Sequence, residues 1–268
     1  MEILKNPHKL PAILDLLAQG AQGVLLCDYD GTLAPFCEDP RKAVPYSWVP
    51  ALLGEIQREG TRVIVVTGRL AEDLTVLLPL SGVEIWGSHG RERLFPDGRR
   101  WVWEPDPHAE QLLDTIKTEL SREWPDVRME RKVGCLAIHF RGLPDQDVQR
   151  LQQSIADFLH RQDSSGLLER RAFHLGVELQ ISGPTKGDAV RGILQELGDR
   201  RTAVAFLGDD RTDEDAFRAL GEAGLSVLVS PTPRETYADV RLENEGEVHD
   251  FLRRWLNAAR KGGDHDRQ

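Results

Sequence analysis

The chain has little of what extracellular, membrane-spanning or nucleic-acid-binding proteins depend on. Only three cysteines, Cys27, Cys37 and Cys135, occur in 268 residues. That is an odd number without the paired spacing of a zinc site, and it points to a reducing compartment, the cytoplasm by default. From Met1 to Gly20 the chain interleaves Lys5, His8, Lys9 and Asp15 with short apolar pieces, so neither a signal peptide nor a membrane span is expected there. No basic tract offers a footprint for a phosphate backbone, and a formal net charge of -10 repels nucleic acid and anionic membranes alike. An anionic substrate must therefore be met by a local cluster of cations or by a metal. Repeats and low-complexity tracts are absent too, and only Lys261–Gln268 reads as disordered and dispensable. A monomer acting on a small molecule, with neither nucleic acid nor membrane as partner, is the expectation.

What is present is a well-supplied core, with 40% hydrophobic residues. Two continuous β-branched runs, Gly23–Asp28 and Arg62–Thr67, suit strands buried on both faces of a parallel sheet, and a helical pattern from Ser47 to Arg58 separates them. Leu70–Leu78 followed by Val83–Trp86 reads as a second helix and strand. The middle differs. A hairpin is expected around Asp97-Gly98, then a helix over 107–122, a strand over 134–140, a helix over 145–161 and strands near 166–171 and 176–181. After Lys186 the parallel pattern resumes, with a helix to Leu197, strand Ala203–Leu207, helix 213–220, strand Leu225–Val229 and a last helix from about Val248 to Arg260. The fold class expected is α/β: a doubly wound, Rossmann-like parallel-sheet core over 1–105 and 183–268, with a small α+β unit inserted at 106–182.

In such sheets ligands gather beyond the carboxyl ends of the strands. Four polar groups follow predicted strands or open the helix after one: Asp28-Tyr29-Asp30-Gly31-Thr32-Leu33; Thr67-Gly68-Arg69; Lys186; and Gly208-Asp209-Asp210-Arg211-Thr212-Asp213-Glu214-Asp215. Each has an ordinary structural explanation. The first can be an Asp-rich turn, Thr67 a helix N-cap, Lys186 a solvated cation at a helix start, and the acidic run a helix N-terminus. Together they form a consistent chemistry, because a carboxylate attacks a phosphate only where positive charge masks the repulsion between two anions. Asp28 and Asp209 can hold Mg²⁺, a hard cation suited to oxygen ligands. Lys186 adds a second positive charge, while the Thr67 hydroxyl and the amides of Gly68 and Arg69 can hold phosphoryl oxygens. Gly31 permits a curl that brings Asp28 and Asp30 to one substrate.

These four segments, in this order, resemble the motifs of the haloacid dehalogenase superfamily, and the resemblance spans the whole core. It implies that Asp28 is a nucleophile forming an aspartyl-phosphate, that Asp30 is the general acid and then base, and that Thr67 and Lys186 bind the phosphoryl group. It also implies that Asp28, the backbone carbonyl of Asp30 and Asp209 hold Mg²⁺ with Asp213 in support. An Asp at position 30, able to protonate an alkoxide and then activate water, implies a phosphatase rather than a pump or a dehalogenase.

Finer detail resembles the trehalose-6-phosphate phosphatases from Asp28 to about Phe217. The matching pieces are Asp28–Pro35, Gly87-Ser88-His89-Gly90, Glu130-Arg131-Lys132, His139-Phe140-Arg141, Gly176-Val177-Glu178 and Gly208–Phe217. The resemblance implies that the inserted unit is a mobile cap whose polar residues bind the sugar, with Glu130, Lys132, His139, Arg141 and Glu178 as candidates beside Gly68, Arg69 and His89 of the core. The chain departs from that family at Gln180, where the usual pattern has an Arg, which leaves the exact sugar open. Trehalose 6-phosphate is the leading substrate and another glycosyl phosphate, such as a glucosylglycerol phosphate, the alternative. A non-catalytic sugar-phosphate sensor is disfavoured, since a binding module needs no paired nucleophile and acid.

Overall fold

The computed structural model describes residues 1–37, 40–163, 165–173 and 176–265. In chain order the elements are β1 (Glu2–Ile3), α1 (Lys9–Ala18), β2 (Gln22–Cys27), α2 (Val49–Arg58), β3 (Arg62–Val66), α3 (Ala71–Leu77), β4 (Glu84–Gly87), β5 (Glu92–Leu94), β6 (Arg100–Val102), α4 (Pro107–Glu123), β7 (Met129–Lys132), β8 (Cys135–His139), α5 (Asp145–Gln162), β9 (Leu168–Phe173), β10 (Gly176–Ile181), α6 (Lys186–Leu197), β11 (Thr202–Gly208), α7 (Asp213–Leu220), β12 (Leu225–Val229), β13 (Val240–Leu242) and α8 (Glu245–His265). They fall into two compact units, Met1–Trp101 with Pro184–Gln268, and Val102–Gly183.

In the larger unit a nine-stranded sheet runs β1-β13-β12-β11-β2-β3-β4-β5-β6. The six strands from β13 to β4 are parallel, with β1 and β5 antiparallel at their flanks. The order explains the buried apolar runs. Along β2, Val24 and Leu26 enter the core cluster that includes α6 and α7, whereas Leu25 and Cys27 enter the cluster that includes α1, α2 and α8. Both faces of each central strand are covered, so their buried positions are mostly apolar. The chain runs outward from β2 to β3 and β4, then returns to β11 on the other side of β2. That reversal between β2 and β11 is where a doubly wound sheet opens a crevice. Asp28 follows one of these strands and Asp209 the other.

The smaller unit is a four-stranded antiparallel sheet, β7-β8-β10-β9. Leu136, Ile138, Val177, Leu179 and Ile181 pack with Leu113 and Ile116 of α4 and Leu151 and Ile155 of α5. Asp106 caps α4, its side chain accepting from the amides of His108 and Ala109. The alternate residues of the same strands form the sheet's other, polar face.

Several elements depart from sequence expectation. The segment before Gly20 holds a helix, α1, which buries Lys9, Leu10 and Leu17, lacks a capping side chain and carries a proline near its start. β1, β7 and β13 were not expected either. β13 has only three residues, and β7 (Met-Glu-Arg-Lys) is charged at every position after Met129 and is a strand because it pairs with β8. The end of the chain corrects the expectation of disorder, since α8 continues to His265. A Cβ on the buried Gly262 would lie 2.3 Å from the Leu17 carbonyl oxygen, so α8 meets the end of α1 at backbone contact there. Asp266-Arg267-Gln268 lie outside the described residues. No helix among the described residues is long and apolar enough to cross a membrane.

Candidate active site

The site in the larger unit begins at the end of β2. Asp28 and Asp30 flank Tyr29, whose hydroxyl turns away to donate to the Ala43 carbonyl at 2.7 Å. β2 itself ends at Cys27 and the chain bends at Tyr29, so both aspartates lie in the loop beyond the strand, and the curl at Gly31 carries that loop towards Asp209. Gly31 has φ +76°, and a Cβ on it would lie 2.3 Å from Asp209 Oδ2. Only glycine lets the loop after β2 approach the Asp209 carboxylate so closely.

Asp28 is 5% exposed. Its Oδ1 accepts from the amide of Tyr29 at 2.7 Å, and its Oδ2 lies 2.7 Å from Lys186 Nζ. Lys186 is 2% exposed and also donates to Asp213 Oδ1 at 2.7 Å. It opens α6, but as a buried cation between two carboxylates rather than a solvated one. Burial opposes its charge, yet Asp213 and Asp28 outweigh burial and hold the ammonium above its usual range. Asp213 is wholly buried, and its Oδ2 accepts from the amides of Asp209 at 3.0 Å and Asp210 at 2.9 Å. Both of its oxygens are thus engaged in holding the lysine and the loop after β11.

Carboxylate oxygens of Asp28, Asp209 and Asp213 all lie within 4.8 Å of one another. Burial, opposed by Lys186 and aggravated by Asp213, raises Asp28 to about 7. Burial, then Asp28 and Asp213, raise Asp209 to about 9. Three acids face one lysine, and Asp209 Oδ1 is buried without a hydrogen-bond partner. An all-carboxylate cluster with excess negative charge and an orphaned oxygen fits a hard divalent cation.

Asp30 makes a different alliance. Arg69 donates from Nε to its Oδ2 and from Nη2 to its Oδ1, each at 2.6 Å, while the guanidinium lies 5.4 Å from the Tyr29 ring centre. Thr67 is 1% exposed and is not an N-cap, since Leu70 holds that position for α3. Its hydroxyl accepts from the Arg69 amide at 3.2 Å, so in this state that amide serves Thr67. His89 takes a left-handed backbone, φ 59° and ψ 31°, and donates its amide to the Thr67 carbonyl at 2.9 Å. A Cβ on Gly68 would lie 2.5 Å from the His89 ring, so His89 is seated on the Thr67-Gly68-Arg69 loop.

A model of the trehalose-phosphatase family matches residues 26–245, which hold every one of these groups. The chain belongs to the trehalose-phosphatase family. It is 30% identical over 283 residues to trehalose 6-phosphate phosphatase RA3 of Zea mays, covering 94% of this chain and 75% of that one. It is also 30% identical to trehalose-phosphate phosphatase B of Arabidopsis thaliana, covering 91% and 69% respectively. Among solved structures, the C-terminal domain of trehalose-6-phosphate phosphatase from C. albicans superposes with a TM-score of 0.74 at 21% identity, over 97% of this chain and 98% of that one. A haloacid dehalogenase-like hydrolase from Bacteroides thetaiotaomicron shares the fold, with a TM-score of 0.63 at 15% identity over 87% and 99% of the two chains.

In this trehalose-phosphatase the smaller unit carries a second polar group. Register sets Glu130 and Glu178 on either side of Ala137, and Lys132 and Gln180 on either side of Cys135. Lys132 Nζ lies 3.4 Å from Glu178 Oε1, and His139 Nε2 lies 3.5 Å from Glu130 Oε2. The bond to His139, working against burial and helped by Arg128 and Lys132, lowers Glu130 to about 2. Gln180 donates to Glu178 Oε2 at 2.5 Å. Arg141 follows β8 in an exposed turn.

Sequence reasoning missed Arg234, which donates to the carbonyls of Asp209 at 3.3 Å and Asp210 at 3.1 Å and pairs with Glu214. It lies in the irregular segment after β12, where no local pattern marks it.

Proposed function

We propose that this chain hydrolyses trehalose 6-phosphate to trehalose and phosphate at Asp28. The observation that carries the reading is the buried Asp28–Lys186–Asp213 chain with Asp209 beside it, in a member of the trehalose-phosphatase family. Lys186 and the Tyr29 amide fix the Asp28 carboxylate in orientation, which lowers the entropic cost of attack. An Asp28 oxygen forms a bond to phosphorus as the bond to the sugar oxygen breaks, and Asp30 delivers a proton to that oxygen. Asp30 then accepts a proton from the water that releases phosphate and restores Asp28. Thr67, Lys186 and the loop at Gly68 and Arg69 serve the phosphoryl oxygens. For Asp30 to carry a proton its pair with Arg69 must open, and the incoming phosphoryl dianion is the competing partner for the guanidinium.

Mg²⁺ is the proposed metal, held by Asp28, Asp209 and the Asp30 carbonyl, with Asp213 bracing the loop. When bound it neutralises charge on the phosphoryl group. The polar face of β7, β8 and β10, with Glu130, Lys132, His139, Glu178 and the nearby Arg141, is the proposed sugar-recognising surface of a cap unit. A disaccharide needs many such donors and acceptors. Three unpaired cysteines, two of them buried, favour a reducing compartment such as the cytoplasm.

Gln180 supports a second reading, a phosphatase of a different glycosyl phosphate, because a neutral amide bonded to Glu178 stands where the family pattern has an Arg. Phosphate release with Mg²⁺ across trehalose 6-phosphate, glucosylglycerol phosphate and glucose 6-phosphate decides between them. A trehalose 6-phosphate rate no better than that of glucose 6-phosphate would refute the first reading.

A further inference from the structure

Behind the loop that carries Thr67 and Arg69 lies a carboxylate that the proposed chemistry does not use. Glu92, on β5, has no solvent exposure. Its Oε1 accepts from the Ser88 hydroxyl at 2.8 Å and from the Ala71 amide at 3.1 Å. Its Oε2 accepts from Arg100 at 2.5 Å, and that cation compensates the buried charge.

What Glu92 joins is unusual. Ser88 and His89, at φ 49° and 59°, are the only non-glycine residues with positive φ among the described residues. Two consecutive residues in that region are strained and persist only where neighbours over-determine them. The neighbours here are specific. The Ser88 amide donates to the Arg69 carbonyl at 2.7 Å, the His89 amide donates to the Thr67 carbonyl, and Glu92 takes the Ser88 hydroxyl together with the first amide of α3. Gly87 leaves the room for this. A Cβ there would stand 2.6 Å from the Ala71 nitrogen, 2.8 Å from Glu92 Oε1 and 2.9 Å from the Arg69 carbonyl oxygen.

We propose that Glu92 is a positioning residue: it holds the strained Ser88-His89 turn and the Arg69–Ala71 segment in one frame, and so sets the His89 ring and the Arg69 guanidinium at the phosphoryl end of the site. The inference rests on the reading of Thr67, Arg69 and His89 as phosphoryl-end groups. Glu92 touches no reacting atom. Its effect passes through the Ser88 hydroxyl and the Ala71 amide.

The test uses the full-length enzyme with Mg²⁺ and two substrates, trehalose 6-phosphate and p-nitrophenyl phosphate, with inorganic phosphate as a competitive inhibitor. Glu92→Gln is expected to raise KM for both substrates and Ki for phosphate together, by about ten-fold, with kcat changed less than about three-fold. Ser88→Ala is expected to move the same constants in the same direction, and the double variant to be no worse than Glu92→Gln alone. A residue that merely supports folding would lower the melting temperature and the active fraction while leaving KM and Ki in place. Unchanged KM and Ki in the folded Glu92→Gln enzyme, or effects of the two changes that add in full, would overturn the proposal. Should Glu92→Gln fail to fold, Ser88→Ala decides alone, with an unmoved phosphate Ki counting against. If the unaltered enzyme turns over p-nitrophenyl phosphate but not trehalose 6-phosphate, the substrate assignment fails while Glu92 is still judged on the aryl ester.

Discussion

Arg69 grips Asp30 through two hydrogen bonds of 2.6 Å, one to each carboxylate oxygen. A fork of this geometry is strong and occupies both carboxylate oxygens, whereas the proposed acid must present a proton to the leaving oxygen. Arg69, proposed above as a phosphoryl ligand, is therefore also a restraint on Asp30. Arg69→Lys cannot reproduce the fork, and Arg69→Ala removes it. Both are expected to raise KM and phosphate Ki by roughly ten-fold or more, the size of one lost charge-assisted contact. A variant whose KM and Ki match the unaltered enzyme would show that the guanidinium stays with Asp30 throughout turnover.

Asp28→Asn keeps the shape of the site and removes the proposed nucleophile. Turnover is expected to fall by on the order of 10⁴-fold or more, while the fold survives, because the change removes one of three crowded carboxylates. Trapping of acid-stable ³²P on the unaltered protein but not on Asp28→Asn is the direct check. Hydrolysis persisting in Asp28→Asn would exclude the covalent route.

The acid cluster sets a dependence on pH and metal. In the fold Asp28 rises from 3.8 to about 7 and Asp209 from 3.8 to about 9. A carboxylate raised in the folded state binds its proton more tightly there than in the unfolded chain. Its contribution to stability is full below the unfolded value and is lost as pH rises through the folded one. The metal-free enzyme should therefore lose stability between about pH 4 and pH 9 through these two groups. Mg²⁺ competes with protons for the same oxygens, so it should raise the melting temperature more at pH 8 than at pH 5. Thermal melts with chelator and with Mg²⁺ at both values test this, and an equal metal-induced shift would contradict it.

At the far end of the larger unit, Gly262 lies against the Leu17 carbonyl. Gly262→Leu must separate α8 from the end of α1 and is expected to destabilise by about 1–3 kcal/mol, the range for overpacking. Activity per folded molecule should not change. A denaturation midpoint equal to that of the unaltered chain would mean that the helix end frays at no cost.

The motif-bearing strand ends were legible because each requirement is local. Apolar residues on both faces announce β2, β3, β11 and β12, and Asp28, Thr67 and Asp209 follow three of those strands directly. The elements that escaped, β1, β7 and β13, are too short or too polar to carry a period, and they exist through pairing with a neighbour already in place. The helical end of the chain escaped for a related reason. Gly262-Gly263 reads as a breaker in isolation, but a glycine at a crossing of two helices is what close backbone contact demands.

By itself the sequence determined the alternation of helix and strand, the burial of the central strands and the chemical type of each group at the crevice, since these depend on residues adjacent in the chain. Only the tertiary structure decided how those groups are engaged. It placed Lys186 between Asp28 and Asp213, turned both oxygens of Asp213 away from direct service, locked Asp30 to Arg69, and put Glu92 behind a strained turn. These are contacts between side chains, many of them distant in the chain, and their partners are chosen by the order of strands in the sheet and by the exclusion of water around buried charge.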